Sequence, residues 1–216
     1  MAELLVIRHA QASFGQDNYD QLSELGHRQS ELAGEALRAS GWVPDRLVTG
    51  TLTRQQETLA SMGFAEQPEQ HAGLNEYDFH DLLSVRFQGA VPDPVRHDRK
   101  THFRTLRETI LEWQAGGLAG AKESWKDFSK RVENARTFAT ETDARRVLVI
   151  SSGGPIGELV KASLGAPDAQ MMALNLQVKN TSCTRFFFNA STFLLHEFNA
   201  TPHFSTPDRA KLLTFS

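Results

Sequence analysis

The chain has 216 residues, of which 40% are apolar and 23% are charged, and its formal net charge is −3. This composition is typical of a globular protein, and at this length roughly 70% of the unfolded chain's surface can be buried without a disulfide or metal. The small net charge argues against a protein that mainly binds nucleic acid, and the single Cys183 excludes an internal disulfide. With no basic leader and no apolar run near the roughly 20 residues that a bilayer requires, we expect a cytoplasmic protein without a membrane partner.

The amino-terminal part of the chain predicts a strand followed by a helix. An unbroken apolar run over residues 3–7 is typical of a strand that is buried on both faces of a parallel sheet. Ser23 is a suitable N-cap for a helix that extends to about Ser40, and Gly41 is a suitable terminator. Four apolar residues are expected on the buried face of this helix: Leu25, Leu32, Ala36 and Leu37.

The same alternation continues with two more strands. Residues 46–49 and residues 70–74 predict the second and third strands. A helix that carries Arg54 and stops at Gly63 is expected between them. The third strand would then present Glu76 at its carboxyl end.

The middle of the chain predicts a less regular segment and then two helices. Residues 78–100 contain two prolines and little periodicity, which favours a loop or an insertion. Apolar residues at spacings of three and four predict helices over residues 103–113 and 125–138, the second opened by a capping serine. We expect residues 78–124 to form an inserted lid or helical segment over a site.

The last third of the chain contains the clearest strand pattern. Residues 146–150 predict a buried strand, followed by a helix that extends to Gly165 and has Pro155 as its first residue. Residues 177–188 and residues 192–198 then predict a closing hairpin. The order of elements indicates an α/β fold, a three-layer α/β/α sandwich with a mostly parallel central sheet, in which the whole chain forms one domain.

Polar residues stand where the predicted strands end, and in a parallel sheet these ends share one edge. They are Arg8, His9, Arg54, Glu76 and Ser152. Guanidinium groups neutralise and orient a phosphate, an imidazole can attack phosphorus, and a carboxylic acid can protonate the departing oxygen. The set therefore indicates phosphoryl transfer.

The ordered motifs of this chain resemble those of the histidine phosphatase superfamily, also called the phosphoglycerate mutase-like family. The matching motifs are Arg8-His9-Ala10, Leu22-Ser23-Glu24-Leu25-Gly26, Thr51-Leu52-Thr53-Arg54 with Thr58, Leu74-Asn75-Glu76 and Asn180-Thr181-Ser182. The resemblance covers nearly the whole chain. It implies that His9 is phosphorylated during turnover, that Arg8 and Arg54 clamp the phosphate, and that Glu76 donates a proton to the leaving group.

One motif departs from the family pattern. After the fourth predicted strand the family usually has Ser-His-Gly-Gly, whereas this chain has Ser151-Ser152-Gly153-Gly154. Ser152 can offer one neutral hydrogen bond or can serve as a helix cap, and we expect the amides of Gly153 and Gly154 to help bind an anion at the helix start. The chain also has Ala10 where many members have Gly.

Gln11 and Ser13 are further candidates for phosphate contacts, because they follow His9 in the same loop. Together with Arg8, Arg54, Ser152 and Gly153 they complete the predicted phosphate-binding set. The other histidines show no metal-ligand spacing, so neither a metal nor a cofactor is predicted. The expected partner is a phosphorylated small molecule, and the oligomeric state is left open.

Three functions are compatible with these residues. The first is a phosphatase that hydrolyses a phosphomonoester through a phosphohistidine on His9, with mutase activity as a variant that nothing in the sequence favours. The second is a catalytically weakened phosphate-binding or regulatory module, because Ser152 replaces a histidine. The third makes Ser152 the nucleophile of a strand-turn-helix elbow, which Ile150 disfavours because it occupies the first glycine position of that motif.

Overall fold

A computed structural model describes residues 1–13, 20–204 and 209–215 of the chain. Its centre is a sheet of six strands in the order β3-β2-β4-β1-β5-β6. The strands are β1 (Ala2–Arg8), β2 (Arg46–Thr49), β3 (Glu69–Gln70), β4 (Arg146–Ser151), β5 (Cys183–Phe188) and β6 (Phe193–Ala200). The first four strands pair in parallel, and β5 and β6 add an antiparallel hairpin beside β1.

Helices cover both faces of this sheet. They are α1 (Glu24–Ala39), α2 (Thr53–Ser61), α3 (Phe79–Arg86), α4 (Asp93–His97), α5 (Arg99–Gln114), α6 (Trp125–Thr140), α7 (Gly153–Ser163), α8 (Ala169–Asn175) and α9 (Arg209–Leu212). Because side chains alternate along a strand, Leu5 and Ile7 of β1 pack with α1 and α2, whereas Leu4 and Val6 pack with the larger core formed by α3 and α5 to α8. The predicted three-layer α/β sandwich is confirmed.

The third predicted strand is much shorter than residues 70–74. Strand β3 has two residues, and a 3₁₀ turn over Ala72–Leu74 follows it. His71 accepts a hydrogen bond from the Gly73 amide (3.0 Å), which closes this turn. A side chain at Gly73 would also place Cβ 2.3 Å from Arg131 O, so the chain turns here against α6. Glu76 is thus presented by a turn and not by a strand end.

The buried face predicted for the first helix was wrong in three of its four residues. Leu25, Leu32 and Ala36 are only partly buried, and the face that packs against the sheet is made mainly of small residues. A Cβ at Gly26 would lie 2.2 Å from Gln11 O, so this helix approaches its neighbours too closely for large side chains.

Three other boundaries differ from the sequence prediction. The segment 78–100 is not a loop, because it contains α3 and α4, which are too short to show helical periodicity. The first strand of the hairpin begins at Cys183 and not at 177, since Thr181 has a φ of 53° that interrupts an extended chain. Pro155 is the third and not the first residue of α7.

No helix in the described part of the chain is long and apolar enough to cross a membrane.

Candidate active site

The backbone that carries Arg8 and His9 is held on both sides at the end of the central strand β1. The His9 amide donates to Ser151 O (2.8 Å), and the Thr181 amide donates to Arg8 O (3.0 Å). Asn180 Nδ2 donates to His9 O (3.0 Å). His9 is 4% exposed and sits on a backbone that neighbouring strands and loops fix in place.

Helix α2 is attached to the same loop. Thr58 Oγ1 accepts a hydrogen bond from the Ala10 amide (3.0 Å) and donates to Arg54 O (2.6 Å). One hydroxyl therefore connects the residue after His9 to the first turn of α2. This connection fixes the position of Arg54 relative to His9.

The hydrogen bonds of the His9 ring identify its tautomer. His9 Nδ1 lies 2.8 Å from Ala10 O, and Arg54 Nε lies 3.2 Å from His9 Nε2. A carbonyl oxygen only accepts and a guanidinium only donates, so Nδ1 carries the proton and Nε2 presents its lone pair. Burial is the main cause that lowers the pKa of His9 well below its usual value, followed by the charges of Arg54 and Arg8. The ring is an uncharged imidazole with a nucleophilic nitrogen among cationic groups.

Arg54 is oriented by an aspartate that the sequence analysis did not identify. Arg54 Nη1 donates to Asp20 Oδ1 (2.7 Å), and the Thr53 amide donates to Asp20 Oδ2 (2.9 Å). The Asp20 carboxylate thus caps the start of α2 and fixes one edge of the guanidinium. A single acidic residue in a loop has no spacing pattern that would have revealed this role.

Arg8 reaches toward the carboxyl-terminal segment. Its Nη1 donates to Val178 O and to Phe215 O, the latter at 3.2 Å. Its charge lowers the pKa of both His9 and Glu76. Arg8 therefore acts electrostatically on the two groups that sequence analysis assigned to proton and phosphoryl transfer.

Glu76 lies against the amino-terminal end of α7. Both of its carboxyl oxygens are 3.1 Å from the Gly154 amide, which donates to them. Burial raises the pKa of Glu76 above its usual value and outweighs the Gly154 hydrogen bond and the charges of Arg54 and Arg8, which lower it. A raised pKa keeps the carboxylic acid protonated, and able to deliver a proton, to a higher pH than an ordinary glutamic acid.

The predicted anion-binding role of the Gly154 amide is not what the structure shows. The Gly154 N–H donates its hydrogen bond to Glu76, and a Cβ at position 154 would lie 2.2 Å from Glu76 Oε1. Glycine is required here because the carboxyl group occupies the space of a side chain. Gly153, the other residue of the pair, lies beside Asn175, whose Oδ1 would be 2.3 Å from a Cβ at 153.

The sequence matches the histidine phosphatase superfamily (branch 1) over residues 4–201. The chain belongs to this superfamily. Two curated relatives are 2,3-bisphosphoglycerate-dependent phosphoglycerate mutases. The protein from Methylobacterium radiotolerans is 28% identical over 205 residues, covering 88% of this chain and 91% of the relative. The protein from Parvibaculum lavamentivorans is 26% identical over 187 residues, covering 80% and 85%.

Solved structures of two phosphatases have the same fold. A phosphoserine phosphatase from Entamoeba histolytica in complex with phosphoserine superposes with a TM-score of 0.68 at 17% identity, over 94% of this chain and 99% of that chain. A mycobacterial glucosyl-3-phosphoglycerate phosphatase superposes with a TM-score of 0.66 at 25% identity, over 93% and 100%. Relatives with phosphatase names and relatives with mutase names are therefore both represented.

Ser152 occupies the N-cap position of α7, but its side chain does not cap that helix. Its hydroxyl oxygen accepts a hydrogen bond from Gln55 Nε2 (2.9 Å), and both side chains are fully buried. The predicted capping role is wrong. Gln55 also donates to Leu74 O (2.9 Å), so the hydroxyl of Ser152 belongs to a buried polar link between α2 and the turn before Glu76.

Gln11 and Ser13 direct their hydrogen bonds to the loop before α1. Gln11 Oε1 accepts from Ser23 Oγ (2.9 Å), and Ser13 Oγ donates to Leu22 O (2.9 Å). These contacts stabilise the loop that follows His9. A contact of either side chain with phosphate stays a prediction.

Proposed function

We propose that this chain is a phosphomonoesterase that transfers the phosphoryl group of a small phosphorylated molecule to His9 and then to water. The observation that carries the proposal is the Nδ1-protonated tautomer of His9, with Nε2 facing Arg54 in a site that disfavours the imidazolium. A buried neutral imidazole beside two cations is suited to attack a phosphate dianion, because the cations neutralise the charge that would repel the nucleophile.

The first step forms a bond between His9 Nε2 and phosphorus while the bond from phosphorus to the leaving oxygen breaks. Nε2 exchanges its contact with Arg54 for the phosphorus atom, Arg8 and Arg54 bind the phosphoryl oxygens, and protonated Glu76 gives its proton to the departing oxygen. In the second step the ionised Glu76 takes a proton from water, the resulting nucleophile attacks phosphorus, and the bond to Nε2 breaks. The products are an alcohol and inorganic phosphate, with the protein restored.

Trapping of the intermediate tests this proposal. Rapid quenching of the protein with a ³²P-labelled phosphomonoester should give one acid-labile, base-stable label per chain, and peptide mapping should locate it at His9. Label on a serine, or turnover with no label at any quench time, would contradict the phosphohistidine route.

Glu76→Gln should remove the proton donor while keeping the size of the side chain. We expect kcat/KM for phenyl phosphate to fall by about 10²-fold, which is within the usual effect of general acid catalysis. An activated ester such as 2,4-dinitrophenyl phosphate should be much less affected, because its leaving group departs without a proton. Equal losses on both substrates would argue against the role of Glu76.

The proposed mechanism predicts how kcat/KM should change with pH. The first step of the proposed mechanism requires a protonated Glu76 and a neutral His9. The pKa of Glu76 is raised and the pKa of His9 is lowered, so both shifts favour these forms. The rate constant kcat/KM should therefore decrease as pH falls through the pKa of His9 and as pH rises through the pKa of Glu76. We expect an optimum on the acidic side of neutrality, and loss of the alkaline decrease in Glu76→Gln. A wild-type rate that rises steadily from about pH 5 to about pH 9 would contradict this assignment.

A weakened phosphate-binding module is the second candidate. The observation that favours it is the buried hydroxyl of Ser152, which is already hydrogen-bonded to Gln55, at a position where the sequence resemblance leads us to expect a histidine. A neutral hydroxyl stabilises developing negative charge less than an imidazolium does. Phosphate binding by calorimetry, without phosphate release from p-nitrophenyl phosphate or transfer to 3-phosphoglycerate, would favour this candidate over a phosphatase or a mutase.

Ser152→His tests how closely the surroundings of position 152 are fitted to serine. We expect the free energy of unfolding to fall by about 1–3 kcal/mol, because an imidazole would overlap the space that Gln55 fills. The double variant Gln55→Ala/Ser152→His should recover part of this loss, as measured by urea unfolding. An unchanged urea midpoint in Ser152→His would show that the two side chains are not packed as described.

A further inference from the structure

The turn that carries Glu76 depends on Arg131 of α6. The 3₁₀ turn ends at Leu74 and no strand or helix continues directly from it, so the carbonyl groups of residues 73–76 need partners from elsewhere. Arg131 Nη1 donates to Gly73 O (3.1 Å) and to Asn75 O (2.7 Å), and Nη2 lies 3.5 Å from Glu76 O. One guanidinium therefore contacts three carbonyls of the segment that presents the carboxyl group.

Arg131 is itself fixed by Glu123. Its Nε donates to Glu123 Oε1, and its Nη2 donates to Glu123 Oε2 (3.0 Å), which is the paired geometry that a carboxylate and a guanidinium favour. The guanidinium also lies over the ring of Phe128, 4.8 Å from its centroid. All five N–H donors of the Arg131 guanidinium thus have acceptors within the protein. Arg131 has no donor left for a substrate, and its contacts are those of a residue that positions the turn.

The remaining carbonyl of the turn is held from the opposite side. Leu74 O accepts from Ser151 Oγ (2.8 Å) of β4 and from Gln55 Nε2 (2.9 Å) of α2. Three elements of the fold therefore fix consecutive carbonyls of one short segment. Such convergence is what a side chain that must meet a reacting atom within hydrogen-bond distance requires.

We propose that Arg131, held by Glu123, is the positioning residue that places Glu76 against the leaving-group oxygen during phosphoryl transfer. This inference rests on the proposed function, because it assigns Arg131 a role in the proton transfer of that reaction. A displacement of about 1 Å in a reacting group can cost on the order of 10²-fold in rate, so a weaker hold on the turn should have a measurable kinetic effect.

Arg131→Lys tests the inference because it keeps the positive charge but cannot contact the turn and Glu123 together. We expect kcat/KM for phenyl phosphate to fall by about 10- to 100-fold, while that for 2,4-dinitrophenyl phosphate changes by less than about threefold. The ratio kcat/KM reports the step that forms the phosphohistidine and not its hydrolysis. Equal losses on both substrates, or none on either, would overturn the inference.

Arg136→Lys is the matched control on the same helix. Arg136 pairs with Glu133 one turn away and makes its ion pair outside the segment 73–76. It should keep the wild-type ratio between the two substrates. Glu123→Gln provides a milder perturbation of Arg131, and it should reproduce the leaving-group dependence to a smaller extent. Urea unfolding of each variant separates a loss of folded protein from a change in the turn.

A readout that needs no turnover separates this inference from the proposed function. The amide proton of Gly154 is hydrogen-bonded to Glu76, so its chemical shift should follow the titration of the carboxyl group. In Arg131→Lys this pH-dependent shift should be reduced or moved, whereas an unchanged titration would overturn the positioning role. If wild-type protein forms no phosphohistidine, the proposed function fails, and the Gly154 titration still decides whether Arg131 holds Glu76 in place.

Discussion

His9→Ala should lower the rate of phosphate release by about 10⁴-fold or more, because the covalent route has no other nucleophile at this position. The ring is buried at the end of β1, and its Nε2 lone pair is directed toward Arg54. Water at the same place would lack both the fixed position and the nucleophilicity of the imidazole. Phosphate release from p-nitrophenyl phosphate, followed by continuous absorbance, measures the loss.

Two controls make the interpretation of that result firm. His27→Ala removes an exposed imidazole on α1, whose Nδ1 is 2.9 Å from Ser61 Oγ, and it should leave the rate unchanged. His9→Ala should still bind phosphate in a calorimeter, since the charges of Arg8 and Arg54 remain. Retention of more than about a tenth of the wild-type rate in His9→Ala would refute the assignment of His9 as nucleophile.

The proximity of Arg8, His9 and Arg54 was predictable because of one property of parallel sheets. The ends of buried strands are easily recognised in a sequence, and in a parallel sheet they lie at the same edge. Arg8 is the last residue of β1, His9 follows it directly, and Arg54 follows β2 by one short connection, so their proximity follows from strand order. Glu76 lies near enough to Arg8 and Arg54 for their charges to lower its pKa, but a turn and not a strand end presents it, contrary to the prediction.

The polar residues that support this group were not predictable from sequence. Asp20 and Gln55 each act through hydrogen bonds to residues that are distant along the chain, and such contacts leave no periodic pattern. Thr214 contacts Gln29 (2.8 Å) and Asn180 (2.9 Å), which connects the carboxyl-terminal segment to α1 and to the loop after α8. Only the folded chain brings these segments together.

The charges proposed to bind phosphate also add to the effect of burial on the pKa of His9. A cation that binds a phosphoryl oxygen also disfavours a proton on a neighbouring imidazole. The charge of Arg54 lowers the pKa of His9, and in the proposed mechanism the same guanidinium binds the phosphoryl group. Removal of the Arg54 charge should therefore have two separable effects. The loss of phosphate binding should lower the rate at every pH, and the higher pKa of His9 should lower it further in acid only.

Arg54→Met should lower kcat/KM by on the order of 10³-fold at neutral pH, because a charged donor directed at the phosphoryl group is lost. It should also move the acid limb of the pH profile to higher pH. Without Arg54 the pKa of His9 rises, although burial and Arg8 still hold it down, so a larger fraction of the ring is protonated and inactive in acid. Arg54→Lys keeps a charge but not the fork that spans Asp20 and His9, and its acid limb should move less.

The titration of His9 distinguishes these two effects without kinetics. The Nε2 chemical shift of selectively labelled His9 should give a higher pKa in Arg54→Met than in the wild-type protein, with Arg54→Lys between them. If the pKa is unchanged while kcat/KM still falls, Arg54 binds phosphate only and the neutral ring is maintained by burial. The order of the three pKa values thus tests whether one guanidinium both binds the substrate and keeps the nucleophile unprotonated.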